Sequence, residues 1–507
     1  MPKLLRHPAL RPLRRGRTRT AHTSSTYFDT PDFRLQRDGV VLRVRQTGRR
    51  WVQTLKGPPQ ASGGLHARAE YEWPVEGPKI DMSPLAATPW KKLVAKAEQD
   101  RGLVAFCTTE VERKTLDLEF PDGTVAQLCI DRGEIRAPRA GRMAEASIAE
   151  VEIELESGDA GNLFRLGIAL AEDLPLAVMS ESKAARGYAL RQGMSFVPAA
   201  PVSAKDVVLA ADAQTTGALA GIARECLHQV AANTSGLIAD DDPEWIHQMR
   251  VGTRRLRSCL SLMKPFGAER ALDPLIAEVK WLAGLLGRAR DWDVFVMDTL
   301  PPLAAWFARD ANTAPGIKRL RERAVRRRRA ARNEARNAVA SRRFQLLLLA
   351  AGLACSAPLD AAISATADGE RAGGSRASEF AAKLLARRHR KFSDLAAALA
   401  HAGNEERHAA RIAAKRLRYV AEFFSPLYPG KRTRTYLQTL AATQDALGQF
   451  NDAVTATTLA GELSGLNDAA AAGAVRGWVA AHAAAIEPPL AKALRRFNAA
   501  KPFWPSK

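Results

Sequence analysis

The stretch His247–Arg257, HQMRVGTRRLR, returns 161 residues later as His408–Arg418, HAARIAAKRLR. In each copy a histidine is followed by a base at +3, +7, +8 and +10. A second block keeps the same offset: Gly287 and Asp291 of LLGRARDWDV answer to Gly448 and Asp452 of ALGQFNDAV. Two motif blocks held at one offset mark the C-terminal region as a duplicated helical unit. On a helix, positions 0, +3, +7 and +10 share a stripe, while +8 points about 100° away. His247, Arg250, Arg254 and Arg257 therefore form one face, and His408, Arg411, Lys415 and Arg418 its twin. Val251, Leu256, Ile412 and Leu417 are left to pack. Brought together, the two faces would line one basic groove. A solvated basic face looks the same in a single helix, but repetition of the spacing with its histidine favours the groove. Arginine suits such a groove because its planar fork donates to phosphate oxygens in pairs and keeps its charge when partly desolvated.

Asp291, Asp293 and Asp452 have two readings, as metal ligands or as partners that orient neighbouring bases; the abundance of bases favours the second. The run Ile317–Phe344 predicts a long basic helix, and its Arg326–Arg329 block covers every face, so part of it is merely solvated.

The whole chain, 507 residues with 46% apolar content, is long enough for two to four domains and excludes disorder throughout. Its 75 Lys and Arg against 54 Asp and Glu give +21, which points to a polyanionic partner. The excess is uneven: residues 1–200 carry 30 bases and 25 acids, residues 201–507 carry 45 and 29. Aromatics are only 6% and few sit among the basic clusters, so a base-stacking surface is poorly supported and nucleic acid is not the expected partner. Five scattered cysteines without paired metal-ligand spacing suit reduced thiols. No run of about 18 apolar residues occurs; the best, Phe344–Pro358, reads as a buried helix rather than a membrane anchor. The basic N-terminus lacks a following apolar segment, so no secretory signal is expected and the protein is expected in the cytoplasm.

The first 200 residues differ in texture. VVLRVRQT, RWVQTLK, ARAEYEW, TLDLEF, VAQLCID and AEVEIELE alternate as strands do, with Gly, Pro and Asp between them. In EVEIELE, Glu150, Glu152, Glu154 and Glu156 share one face, with Val151, Ile153 and Leu155 on the other. A half-exposed antiparallel strand would look the same, but Arg43 and Arg45, Lys56, and Arg68, Glu70 and Glu72 put charge of both signs on one face of several strands. A barrel with a polar interior accounts for that pattern. The expected architecture is α+β multidomain: an N-terminal antiparallel β-barrel or tunnel over 1–197, a linker at 198–206 within the Pro-rich FVPAAPVSAKD, and an all-α duplicated bundle over 207–507. Its repeats would span about 207–355 and 379–507, with the Gly/Ser/Ala-rich Ser356–Ser378 as the loop between them.

The twin helices, with Leu-Gly and Arg-Asp-x-Asp or Asn-Asp downstream, resemble the CHAD (conserved histidine α-helical) domain over about residues 205–507. That resemblance implies two packed bundles round a basic cavity that binds inorganic polyphosphate, without catalytic chemistry of its own. The ordered series YFDTPD, LRVR, TLKG, RAEYE, EVERK, EVEIELE and SKAARGY resembles the CYTH domain, or triphosphate tunnel metalloenzyme fold, over about residues 20–195. The pairing is similar to bacterial CYTH–CHAD proteins, some of which are inorganic triphosphatases.

By this resemblance Arg43, Arg45, Lys56, Arg68 and Arg113 would bind the phosphate chain, with Lys183 and Arg186 near it. Lys56, Arg113 and Lys183 would be the catalytic groups, and Glu70, Glu72, Glu150, Glu152 and Glu154 would serve Mg²⁺ or Mn²⁺ and the attacking water. The implied activity is metal-dependent hydrolysis of tripolyphosphate, beside a domain that holds polyphosphate. The alternative is a non-catalytic protein of polyphosphate granules with a degenerate barrel. The chain departs from the family at its start: no acidic residue precedes Asp29, so the opening Glu-x-Glu-x-Lys strand is expected to be absent, and two metal ligands and one phosphate-binding lysine with it.

Overall fold

Alternation in Arg14–Asp29 ends in a run where every second residue is buried, and this strand, β1, is the centre of the first unit. The computed structural model describes residues 2–58, 60–62, 65–194, 200–266, 269–356, 376–399, 403–463 and 469–505. They divide into two compact units: 1–200 with 342–357, and 201–341 with 358–507. Most of the expected inter-repeat loop at 356–378 lies outside the described residues.

In the first unit a short helix α1 (Pro2–Leu5) precedes β1. After α2 (Arg34–Arg37) come β2 (Val41–Thr47), β3 (Arg50–Lys56), the small pair β4 (Gln60–Ser62) and β5 (Leu65–Ala67), and β6 (Glu70–Val75). After α3 (Lys91–Arg101), three long strands follow: β7 (Val104–Glu119), β8 (Val125–Arg139) and β9 (Arg142–Ser157). Two helices, α4 (Gly161–Asp173) and α5 (Lys183–Gln192), complete the run. The main sheet has the order β6-β3-β2-β1-β7-β8-β9, with every pair antiparallel. β6 and β9 are its end strands.

Period-two patterning sorts the sheet's faces. Leu116, Leu118, Ala126, Leu128 and Ile130 pack with Leu163, Leu166 and Leu170 of α4, and Val151 and Ile153 join them from β9. Leu42 and Leu55 pack with Val94 and Ala97 of α3. The charged residues of the same strands are left to the other face.

The second unit is helical. It comprises α6 (Thr215–Ala232), α7 (Thr234–Ala239), α8 (Pro243–Met263), α9 (Glu269–Val294), α10 (Leu300–Trp306) and α11 (Ala314–Ala340). After α12 (Arg342–Ser356) the unit resumes with α13 (Ala377–Ala397), α14 (Asn404–Phe424), α15 (Lys431–Leu463) and α16 (Ala469–Ala499). The internal repeat is visible as geometry: α8 and α14 begin and end 161 residues apart, and each runs into a 3₁₀ turn, Lys264–Phe266 and Ser425–Leu427. The start of α8 is fixed by Asp242, whose carboxylate accepts from Glu244 N, and by Pro243 in the first turn. Trp292, Phe295, Leu300 and Leu320 from the first repeat pack with Leu459, Leu463 and Val475 from the second. The halves therefore share one apolar core.

Two expectations change here. The basic run Ile317–Phe344 is divided at Ser341 into α11 and α12. Residues 342–356, read from sequence as the end of the first helical repeat, belong to the first unit. Phe344, Leu347, Leu348, Ala351 and Cys355 bury themselves there. Arg342 Nη1 donates to Glu172 O at 2.7 Å, and Gln345 Oε1 accepts from Val178 N at 2.8 Å. The helix is buried, as its composition suggested, and among the described residues no single helix is long and apolar enough to cross a membrane. All five cysteines are buried thiols.

Gly352 is the close-approach point, because a Cβ there would stand 2.2 Å from the Phe164 ring on α4. Replacing Gly352 with Ala should destabilise the sheet-bearing unit by about 1–3 kcal/mol through overpacking. Urea unfolding followed in that unit reads the effect; an unchanged midpoint would place α12 elsewhere.

Candidate functional site

In the first unit, strand register gathers the charges. Arg113 on β7 lies opposite Asp131 on β8, and Asp131 lies opposite Glu150 on β9. Arg113 Nε and Nη2 each donate to Asp131 at 2.7 Å, Nη2 also reaches Glu152 at 2.6 Å, and Nη1 reaches Glu154 at 3.4 Å. Ser182 caps α5 by accepting from Ala185 N, which sets Lys183 in the first turn. Lys183 Nζ lies 2.7 Å from Asp131 and 2.9 Å from Glu152, and it also pairs with Glu150, as does Arg186 one turn later.

A second row runs Tyr27, Arg43, Thr54, Glu72 across β1, β2, β3 and β6. Arg43 Nη2 stands 3.5 Å from Glu70 and 3.6 Å from Glu72, and Lys56 Nζ is 2.6 Å from Glu70. Thr54 donates to Glu72 at 3.0 Å, and Arg45 Nε donates to Ser25 Oγ at 3.1 Å. Arg68 feels Glu70 on β6 and Glu152 on β9. Arg45 feels Arg43 and Tyr27 on one side and Arg113 and Asp131 on the other. The sheet's curvature thus brings both rows into one electrostatic neighbourhood.

Burial and charge set the protonation of these groups. Burial and Arg43 push Lys56 down to about 8, with Glu70 opposing. Burial and Arg43 likewise push Arg45 down to about 10. Against the cost of burial, Lys183 and Arg113 hold Glu152 well below the carboxylate range. Against the same cost, Glu152, Asp131 and Glu150 hold Lys183 above the ordinary lysine value. The Nε atoms of Arg43 and Arg186 are buried with no hydrogen-bond partner among the described residues, so part of the donor capacity is unspent.

All twelve site residues read from the first 200 positions therefore fall into this neighbourhood, with Arg45 and Arg68 outside direct ion-pair contact. Asp131 was missed. A single acid ending the apolar VAQLCID carries little signal, although period two from Gln127 and Cys129 puts it on the polar face. Asp131, Glu150 and Glu152 offer carboxylate oxygens all within 4.8 Å of one another. That all-oxygen donor set fits a hard divalent cation. Lys183 holds the same oxygens together. Replacing Lys183 with Met should cost about 3 kcal/mol, because buried carboxylates lose their partner. The loss should shrink only in acid below the ordinary aspartate range, because Arg113 and Lys183, against the cost of burial, hold Asp131 low; equal destabilisation at pH 7 and pH 2.5 in chemical unfolding would contradict the ion-pair account.

In the second unit, α8, α9, α14 and α15 enclose a cavity of about 490 Å³. Its cations are Arg250, Arg254, Arg290, Arg411, Lys415 and Arg418, and His247 stands with them. Four carboxylates also line it: Asp291, Glu422, Asp445 and Asp452. Arg250 approaches Asp291 no closer than 3.9 Å, Arg411 Nη1 donates to Asn451 at 2.9 Å, and Arg418 Nε lies 2.6 Å from Glu422. Buried Nε atoms of Arg250 and Arg411, and Nδ1 of His247, have no hydrogen-bond partner among the described residues. Burial and Arg254 push Arg250 down to about 10, and burial with Arg254, Arg411 and Arg250 pushes Lys415 down to about 6.

The twin stripes contribute unequally. Arg257 and His408 are exposed and do not line the cavity, whereas Arg418 does. The reason is stagger: the cavity meets α8 over 247–254 and α14 over 411–422, about one turn farther along the repeat. Val251 lines the cavity and Ile412 is exposed, while Leu256 and Leu417 are buried as expected. Asp293 is fully buried and pairs with Arg328 at 2.6 Å and Arg332 at 3.1 Å, the orienting role rather than ligation. Arg290, Asp445 and Glu422 were not foreseen, having no repeated motif to mark them.

Comparison with known proteins fits this geometry. The CYTH domain family matches residues 3–188, and the CHAD domain family matches residues 221–461. The inorganic triphosphatase of Haemophilus influenzae is 31% identical over 168 residues, which is 33% of this chain and 45% of that protein. The chain thus spans under half the length of this curated relative. The crystal structure of the CHAD domain from the plant Ricinus communis is 33% identical with a TM-score of 0.51, covering 61% of this chain and all of that one. The polar-faced sheet and the duplicated bundle are accordingly a CYTH domain followed by a CHAD domain in one chain.

Proposed function

We propose that the protein hydrolyses short inorganic polyphosphates such as tripolyphosphate in its CYTH unit, with a divalent metal, and holds polyphosphate in its CHAD unit. The observation that carries the first half is the pairing of two arginine-and-lysine rows with carboxylates on one face of a curved sheet. The triphosphatase likeness of the Haemophilus influenzae protein supports it.

Arg43, Arg45, Lys56, Arg68 and Arg113 supply the cations that receive phosphate oxygens, and Arg186 adds an unspent donor. Carboxylate partners hold Arg43, Lys56 and Arg113 in place before substrate arrives, so little reorganisation is needed on binding. Asp131, Glu150 and Glu152 would hold Mg²⁺ or Mn²⁺, and Glu70, Glu72 and Glu154 stand by for the metal and the attacking water. Bound there, the ion would neutralise charge developing on the phosphates. Lys183, clamped by three carboxylates, positions them.

A second reading, binding without catalysis, draws on one observation: the Lys183 ammonium already sits among Asp131, Glu150 and Glu152, where a metal would need those oxygens. Phosphate release from tripolyphosphate with Mg²⁺ or Mn²⁺, and its loss on chelation, supports the enzyme. No release with any divalent ion supports the binder. For the enzyme, kcat/KM should fall as pH rises through about 8, because Lys56 is charged below that value and neutral above it. Lys56→Arg should move this limb upward; an unmoved limb would assign it to another group.

The CHAD half rests on the cavity's unpartnered arginine donors. Replacing Arg250, Arg254, Arg411 and Lys415 together with Ala should abolish retention on immobilised polyphosphate while circular dichroism shows the helices intact. Retained binding by that variant would move the site off the cavity.

A further inference from the structure

We propose that the CHAD cavity takes up a proton when it binds a polyanion, and that Lys415 is the group that receives it. This deepens the polyphosphate reading of the cavity and rests on it.

The geometry isolates Lys415. It sits on α14 one turn after Arg411 and in front of Arg418, and it faces Arg250 and Arg254 of α8 across the cavity. His247 joins them from α8, and α9 adds Arg290 and Asp291. On α15 the facing acids are Asp452 and Asp445. Most of these acids are engaged elsewhere. Glu422 on α14 pairs with Arg418 at 2.6 Å and Arg255 at 2.8 Å, Asp445 lies 4.0 Å from Arg418, and Asp291 stands beside Arg250 at 3.9 Å. Among the described residues no carboxylate makes an ion pair with Lys415.

A cluster of like charges relieves itself through its weakest base. The guanidinium groups hold their protons at any physiological pH, whereas an ammonium gives one up. Burial and three arginines therefore act together on the single lysine, with Asp452 opposing. His247 is pushed the same way, by burial and by Arg290, Arg250 and Arg254. It starts from a lower value, so the proton count is read at pH 8, well above the ordinary imidazole range.

A polyanion reverses the field. Phosphate oxygens seated among the arginines cancel the repulsion and offer Lys415 acceptors, so its affinity for a proton climbs back toward the ordinary lysine range. The sign follows directly. Below about pH 6 the amine is protonated with or without ligand, and no proton moves. Above that, binding carries a proton in, and affinity weakens about tenfold for each pH unit while one proton is taken up per ligand. The repeat provides the contrast: the twin position on α8 is Arg254, which cannot titrate.

The test is calorimetry of the full chain with a long polyphosphate, whose internal phosphates stay ionised, in buffers of different ionisation enthalpy between pH 6.5 and 8.5. The chain should take up close to one proton per bound polymer segment at pH 8, with affinity falling about tenfold per pH unit. Lys415→Arg keeps the charge and cannot release it, so it should bind with no uptake and a nearly flat pH profile. Equal proton counts for both chains, or no uptake by the unsubstituted chain, would overturn the assignment to Lys415 while leaving polyphosphate binding in place. A ¹³C-lysine titration of the ligand-free chain that puts Lys415 near the ordinary lysine value would do the same. Absence of binding by both chains at every pH would overturn the cavity reading and this inference together.

Discussion

Positive charge held partly out of water is the constraint on which both units depend, and each answers it differently. The sheet unit balances its cations from within. Asp131, with a side chain only 1% exposed, lies between Arg113 and Lys183, and Glu150 and Glu152 complete the set. A lattice of that kind is rigid, because removing any one member strands a buried partner. Register supplies it: the antiparallel ladder stacks Arg113, Asp131 and Glu150 in one row before any side chain chooses a rotamer.

The helical unit leaves cations short of partners in its cavity and ties others into ion pairs outside it. Asp293 pairs with both Arg328 and Arg332, and Glu422 ties Arg255 of the first repeat to Arg418 of the second. These bridges, with the apolar core shared by the repeats, hold the cavity walls in place. The repulsion concentrated at Arg250, Arg254, Arg411 and Lys415 is therefore a property of the assembled frame.

Much of this was legible as letters because it is local. The 161-residue offset foretold two helices with the same ends, and alternation in EVEIELE foretold a charged face opposite Val151 and Ile153. What escaped was tertiary. Asp131 is one acid in an apolar strand, and only the neighbouring strands reveal its purpose. Arg257 and His408 obey the helical period yet miss the cavity, because stagger between α8 and α14 is set by packing and not by either helix alone. Residues 342–356 read as helical continuation because they follow a helix, whereas the pocket that accepts them is made by α4, some 180 residues earlier.

That last helix has a consequence for how the chain is made. The sheet unit is discontinuous: its final helix is translated only after the whole first helical repeat. Until then α4 lacks the helix whose Leu349 and Gly352 lie against its Gly167 and Phe164. The sheet unit can reach its full packing only after roughly two-thirds of the chain has been synthesised, while the first helical repeat is already tethered between its two parts. A cut at the sequence boundary near residue 200 would therefore separate the sheet from one of its own helices, and the two units are better regarded as interleaved than as beads on a string.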